Sequence, residues 1–95
     1  ADPCCILYTG GTTGLPKGVL LPQFYYVVSA YRWTHMLKLT PEDRHYSVLQ
    51  LFHVGAQTNA VMAPLLNGFH STLDRWFSLS RYWDRVRETG ATILD

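Results

Sequence analysis

The chain has 95 residues, of which 47% are hydrophobic and 14% aromatic, and its formal net charge is +1 at pH 7. That length bounds it to one small domain or a piece of a larger one, and that apolar content excludes a disordered polymer. With no basic block or stripe, no apolar run long enough to span a bilayer and no signal-peptide pattern, nucleic acid and membrane insertion are not expected.

In chain order, Cys4 to Thr9 is a short apolar run of the kind found in a parallel, buried strand. Cys4 and Cys5 are the only cysteines. On a strand they point to opposite faces and a bridge between them would be strained, so they read as free thiols in a reducing compartment, the cytoplasm. After a Gly/Thr-rich loop, Pro22 serves as a first-turn residue of a helix ending near Lys38. Phe24, Val27, Val28, Tyr31 and His35 fall on one face of it, and the aromatics Phe24, Tyr25, Tyr26 and Tyr31 read as core packing. Thr40-Pro41-Glu42-Asp43 is a turn. His45 to Phe52 reads as a second strand and Gln57 to Leu66 as a helix, with Pro64 bending its last turn and Asn67-Gly68 stopping it.

His70 to Leu73 is a third or edge strand. Ser78 reads as an N-cap, with Leu79, Tyr82, Trp83 and Val86 as the apolar stripe of a helix that Gly90 terminates. Arg81, Arg85 and Arg87, interspersed with Asp84 and Glu88, read as its solvated face. Ala91 to Leu94 closes the chain as another strand. The alternation predicts an α/β fold with a largely parallel sheet and right-handed crossovers. In such sheets ligands sit beyond the carboxyl ends of strands, so Thr9–Gly14 and His53–Gly55, which both follow predicted strands, are expected to line one crevice. The start at Ala1-Asp2-Pro3 and the stop on a strand give the expectation of a fragment.

The stretch from Tyr8 to Val19 concentrates the chemistry. Gly10, Gly11 and Gly14 let the backbone take φ > 0 and aim its N–H groups into a concavity that suits an anion. Thr9, Thr12 and Thr13 add hydroxyls that donate to phosphate oxygens, and one can face a metal ion. Lys17 supplies a compact positive charge, and Pro16 keeps Leu15 extended. The glycine and lysine spacing fits neither a Walker A loop nor the dinucleotide fingerprint. The four histidines, His35, His45, His53 and His70, have no close ligand spacing, so no protein metal site is expected.

Tyr8 to Val19 resembles the Tyr-Thr-Ser-Gly-Thr-Thr-Gly-x-Pro-Lys-Gly-Val signature of the adenylate-forming enzymes: acyl- and aryl-CoA synthetases, peptide-synthetase adenylation domains and firefly-type luciferases. Gly10 is the one departure, standing where the family most often has Ser. Leu51-Phe52-His53-Val54-Gly55 is similar to the Leu-Phe-His-x-x-Gly region of the CoA ligases, with Gln50 in place of the usual preceding Pro. Trp76-Phe77-Ser78 through Trp83-Asp84-x-Val86 to Ala91-Thr92 is similar to a later segment of carnitine/crotonobetaine and fatty-acyl ligases. Leu21-Pro22 departs from the Ser-His or Thr-His of many relatives.

The resemblance implies residues 1–95 as part of a larger adenylate-forming N-terminal domain, in an enzyme that activates a carboxylic acid as acyl-AMP and transfers it to coenzyme A. It implies ATP, Mg2+ and coenzyme A as cofactors. It places Thr9, Gly10, Gly11, Thr12, Thr13, Gly14 and Lys17 at the nucleotide phosphates, with Lys17 and Thr13 as the catalytic pair. Taken alone a histidine after a strand is more often structural, and it is the resemblance that assigns His53, Val54 and Gly55 to substrate binding. The family's Tyr-Gly-x-Thr-Glu segment, ribose-binding Asp and mobile-domain lysine have no match here, so these residues by themselves are expected to be inactive. A non-catalytic phosphate-binding α/β module and a plain structural unit are the open alternatives.

Overall fold

A computed structural model describes residues 2–10 and 14–95. Among these the elements follow in the order β1 (Pro3–Thr9), β2 (Lys17–Pro22), α1 (Gln23–Met36), β3 (Arg44–Ser47), a π-helical segment (Ala56–Met62), α2 (Ala63–Asn67), β4 (His70–Leu73), α3 (Tyr82–Thr89) and β5 (Ile93–Leu94). β3, β4 and β5 form a parallel sheet in the order β4-β3-β5, with His45 opposite both Ser71 and Ile93. This is the α/β arrangement that the alternation predicted. The central strand is paired on both edges, and His45, Tyr46 and Ser47 are buried.

β1 stands outside that sheet. It pairs antiparallel with β2, Leu7 opposite Val19 and Thr9 opposite Lys17, with a register break between Pro3 and Cys5. The expectation of a parallel, buried strand at Cys4–Thr9 is therefore overturned, and the residues of β1 are half-buried or exposed. Val19-Leu20-Leu21 is the apolar run that pairs with it. Gly18 lies opposite Tyr8, where a Cβ would stand 3.0 Å from Ile6 Cγ2 and 3.5 Å from the Tyr8 ring, so the missing side chain leaves room for both.

Pro22 closes β2 and caps α1 in an extended conformation, φ −79° and ψ 160°, instead of entering the first helical turn as expected. The N–H of Gln23, one of the donors a helix start leaves unpaired, goes to Asp2 O at 2.9 Å. At the other end Lys38 takes a left-handed φ of 53°. Its N–H donates to His35 O at 3.2 Å and that of Leu39 to Thr34 O at 3.0 Å, the paired bonds of a Schellman closure. The chain reverses there and Leu39 returns to the core.

That core joins Ala30 of α1, Ala63 of α2 and Phe69, with Trp33, Leu39 and Met62 packed against them. The buried face of α1 is thus Tyr26, Ala30 and Trp33. The expected face is not the buried one, since Phe24 is 62% and Tyr31 49% exposed. α1 carries apolar residues nearly all round, so periodicity alone singles out no inward stripe. The small side chains of Ala30 and Ala63 decide the contact.

The helix expected at Gln57–Leu66 is present, but its first half is π-helical, with Ala63 N–H donating five residues back to Thr58 O. Pro64 gives the physical reason: it has no N–H and its ring cannot sit under the Ala60 carbonyl, and a widened turn relieves both. β3 is shorter than the expected His45–Phe52 because its partners run out. Asp74 N–H caps Ser47 O at 3.0 Å and β5 has only two residues. α3 begins at Tyr82, a turn later than a Ser78 cap would give. Arg81 N–H donates to Ser78 O at 3.1 Å in a turn, and Ser78 Oγ meets Ser80 Oγ.

Arg85 also departs from the solvated face assigned to it. Its Nε and Nη2 each donate to Asp74 at 2.9 Å, and its Nη1 donates to Glu88. Tyr46 donates to the same Asp74 carboxylate from the sheet. The Arg85 hydrogen bonds and then that of Tyr46 hold the Asp74 carboxyl below the ordinary range. Burial and the Asp74 contact push the Tyr46 phenol up to about 12. The cluster fastens α3 to the carboxyl ends of β3 and β4.

Candidate functional site

Antiparallel pairing makes β1 and β2 a β-hairpin, closed by the pair of Thr9 and Lys17. Thr9 Oγ1 donates to Lys17 O at 3.4 Å, across the base of the hairpin. Gly14, at φ 122°, takes the conformation that requires a glycine, as expected. Gly10 does not have positive φ, and a Cβ there would meet nothing within 4 Å. Lys17, the first residue of β2, is exposed. Gly11, Thr12 and Thr13 lie outside the described residues.

The second stretch is a loop that leads into the π-helical segment. Its backbone turns at His53, whose N–H donates to Gln50 O at 2.9 Å and whose carbonyl accepts from Gln57 N–H at 3.2 Å. His53 Nδ1 accepts the Gly55 N–H at 3.0 Å. In the neutral ring this leaves the proton on Nε2, so that the free nitrogen is a donor. Gly55 matters here for space rather than for backbone freedom. A Cβ on it would stand 3.2 Å from His53 Nδ1 and 3.5 Å from Leu49 Cδ1.

The two stretches meet. A crevice of about 500 Å³ is walled on one side by Leu7, Tyr8, Thr9 and Gly10 with Val19 and Leu21, and on the other by Phe52, His53 and Val54, with Tyr25 of α1 between them. Thr9, Gly10, His53 and Val54 are thus brought together as the sequence predicted. Gly14, Lys17 and Gly55 stand outside the lining, Gly55 directly behind His53. Reading the sequence missed Tyr25, Phe52 and the β2 wall. The signal that would have found that wall is Val19-Leu20-Leu21, an apolar β-branched and leucine run directly across the loop from Ile6-Leu7.

The crevice is mainly apolar, and the side chains in its lining that carry polar atoms are Tyr8, Thr9, Tyr25 and His53. It suits a ligand with an apolar part and an anionic end. No three His, Cys, Asp or Glu side chains among the described residues cluster as a metal cage would need.

A family model described as AMP-binding enzyme matches residues 1–95. The chain belongs to this family. Among curated relatives, the sulfoacetate–CoA ligase of Cupriavidus necator is 36% identical over 93 residues, 98% of this chain and 18% of the relative. The crotonobetaine/carnitine–CoA ligase of Salmonella typhimurium is 31% identical over 94 residues, 99% of this chain and 18% of the relative. The O-succinylbenzoate coenzyme A synthetase of Bacillus subtilis, solved in complex with AMP, superimposes with a TM-score of 0.85 at 30% identity, covering 94% of this chain and 18% of that one. The same synthetase has been solved with ATP and a magnesium ion, at a TM-score of 0.81 and 28% identity over 94% of this chain and 24% of that one. The chain therefore spans about a fifth of the length of these relatives. The match carries the fold with it: the strands, helices and parallel sheet correspond to part of the N-terminal domain of adenylate-forming enzymes. Among the described residues no helix is long and apolar enough to cross a membrane.

Proposed function

We propose that this chain is the phosphate-loop region of an ATP-dependent carboxylate–CoA ligase, which activates an acid as its acyl-AMP and passes the acyl group to the thiol of coenzyme A. The observation that carries the reading is the crevice in which Thr9 and Gly10 of the glycine/threonine hairpin face Phe52, His53 and Val54 across about 500 Å³. Family membership and the CoA-ligase names of the relatives support it.

In the first step a carboxylate oxygen bonds to the α-phosphorus of ATP as the bond to the bridging oxygen breaks and pyrophosphate leaves. Negative charge accumulates on the departing oxygens. Donors fixed before the reaction stabilise that charge with little reorganisation. In this role Thr9, Thr12 and Thr13 donate hydroxyl hydrogens, Gly10, Gly11 and Gly14 let the backbone come close, and Lys17 neutralises charge from the base of the hairpin. Thr13 and Lys17 are the catalytic pair. His53 Nε2–H, with Val54 beside it and Gly55 behind, orients the acid in the apolar part of the crevice. In the second step the thiol attacks the acyl carbon and AMP leaves.

Mg2+ supplies charge neutralisation on the phosphates when bound. The donors on offer, hydroxyl oxygens with no carboxylate cluster among the described residues, fit an ion held chiefly by phosphate oxygens and water. The small ligands are a carboxylic acid, ATP and coenzyme A. The free thiols Cys4 and Cys5 suit a cytoplasmic setting.

The test is carboxylate-dependent exchange of label between pyrophosphate and ATP by the intact gene product, across a panel of sulfonated, aromatic, short-chain and long-chain acids. The proposal expects exchange with at least one acid, and a loss of about 100-fold or more in the Thr13→Ala/Lys17→Ala double variant. No exchange with any acid, together with saturable ATP binding, would give the site to a non-catalytic phosphate-binding module. Undiminished exchange in the double variant would overturn the roles assigned to the loop.

A further inference from the structure

We infer that Tyr26 is a positioning residue for the crevice: its phenol ties β1 to the loop that carries His53 and so sets the separation of the two walls. Only the kinetic part of the test rests on the ligase reading.

The contacts run in one line. Cys5 Sγ lies 2.8 Å from Tyr26 Oη, Tyr26 Oη donates to Gln57 Oε1 at 2.6 Å, and Gln57 Nε2 donates to Leu51 O at 2.9 Å. Since the phenol proton is given to Gln57, the thiol is the donor to the phenol oxygen. Cys5 is on β1, two residues before Leu7 of the crevice wall, and Leu51 immediately precedes Phe52 and His53 of the other. Among the described residues no other side-chain hydrogen bond runs, directly or through an intermediate, from the hairpin to the His53 loop.

Two further observations separate this relay from ordinary packing. Tyr26 is only 8% exposed, so its hydroxyl has little water to fall back on, and burial followed by the Cys5 hydrogen bond pushes the phenol above its ordinary range. Beside the relay lies a mainly apolar cavity of about 560 Å³ lined by Cys5, Tyr26, Leu51, Gln57, Val61 and Met62. Across open space, close-packed side chains do not fix how far apart the walls stand. The directional bonds do.

A wall held by the relay is competent in nearly every molecule. Without the relay the competent arrangement becomes one of several, and apparent affinity falls by the fraction still competent. The test uses the intact protein with Tyr26→Phe, Gln57→Glu and, as a control, Tyr46→Phe. Gln57→Glu still accepts the phenol proton but has no N–H for Leu51 O, so it cuts the relay at its far end should Tyr26→Phe fold poorly. Tyr46→Phe loses a part-buried phenol bond to Asp74, neither of which lines the crevice.

The expected result is a rise of roughly tenfold in KM for acid and ATP in Tyr26→Phe and Gln57→Glu. kcat stays within about threefold, and Tyr46→Phe lowers the unfolding midpoint without moving KM. Amide hydrogen exchange in the same two relay variants should quicken at residues 53–57 and along the β1–β2 ladder. Unchanged KM in both relay variants, or an equal rise in the control, overturns the inference. So does unchanged exchange, whatever the activity. A wild-type protein inactive with every acid, in which the relay variants nonetheless exchange faster, counts against the ligase reading and supports the relay.

Discussion

Gly55→Ala separates stability from function, because the two effects act through different atoms. Gly55 sits at φ −61° and ψ −41°, at the entry of the π-helical segment, where alanine is favoured over glycine by about 0.5–1 kcal/mol. Against that, the new Cβ stands 3.2 Å from His53 Nδ1 and 3.5 Å from Cε1 and Leu49 Cδ1. A contact of 3.2 Å is a few tenths of an ångström too close, and the ring must move by about that much. The Gly55 N–H to His53 Nδ1 bond of 3.0 Å stretches with it, which costs a part of its net value of about 1 kcal/mol. The two contributions nearly cancel, and unfolding free energy should change by less than about 1 kcal/mol. The effect on the crevice does not cancel, because His53, which lines it, is displaced. A displacement of about 1 Å can cost around 100-fold, so a few tenths should cost about three- to tenfold in kcat/KM for the acid. The assay is acid-dependent pyrophosphate exchange in the intact protein beside a urea titration. Unchanged kcat/KM at unchanged stability would refute the placement of His53 at the acid, and a loss above about 3 kcal/mol would refute the packing argument.

Asp74→Asn tests the clamp between sheet and α3. The carboxyl of Asp74 is depressed in the folded state, so its stabilising contribution is present above the unfolded carboxylate range, near pH 4, and is lost as pH falls through the folded value. The stability gap between wild type and Asp74→Asn should therefore be full at pH 6–7 and close progressively below about pH 4 in urea titrations. A gap independent of pH would mean that the amide, not the lost charge, causes it. Gly14→Ala places a side chain at φ 122° and should cost about 1–3 kcal/mol of local strain, read as weaker ATP binding by calorimetry with the fold intact by circular dichroism. Lys38→Gly relieves the left-handed φ of 53° in the closure of α1 and should raise unfolding free energy by about 0.5–1 kcal/mol, measured by the same urea titration.

The parallel sheet was legible because β3, β4 and β5 alternate with helices and each is bounded by a breaker: Asp43, the left-handed Gly68 and the left-handed Gly90. The presence of three helical segments was legible for the same reason, although α3 starts a turn late and the middle segment is half π-helical. Pairing was not. Lys17-Gly-Val-Leu-Leu-Pro reads as a run into α1 unless its apolar residues are set against Ile6-Leu7, and only the three-dimensional register shows that they are. The inward face of α1 was lost because bulky apolar residues cover most of its circumference while the contact is made by Ala30, which carries no weight in a hydrophobic pattern. Ser78 has the right side chain for a cap but spends it beside Ser80. At the site, Thr9 and Gly10 were legible as the end of a strand, whereas His53 and Val54 line the crevice from positions well past Ser47, where β3 ends, and not from the strand end expected for them. Tyr25 and Phe52 were not legible, because an aromatic lining a crevice and one in a core look the same in sequence.

The hairpin bears on how the glycine/threonine loop would hold phosphates under the proposed function. In a strand–loop–helix arrangement the phosphates rest on a helix N-terminus, whose unpaired N–H groups and dipole supply much of the attraction. Here the chain after the loop runs back as β2, and α1 begins only at Gln23, behind Pro22 and at the far end of the strand, where its first N–H is already paired with Asp2 O. No helix dipole is aimed at the loop by α1. What remains is the backbone of the loop itself, the Thr hydroxyls and Lys17 at the hairpin base, and of these only Lys17 carries a full charge. An exposed lysine acts as a point charge screened over about 8–10 Å at physiological salt. Attraction of the nucleotide to this loop should therefore weaken with ionic strength more than it would at a loop backed by a helix. Thr9 follows from the same geometry. Facing Lys17 across the closing pair, it adds a short neutral hydroxyl to the crevice wall, and under the proposed function a second long cation there would fill space that an acid needs.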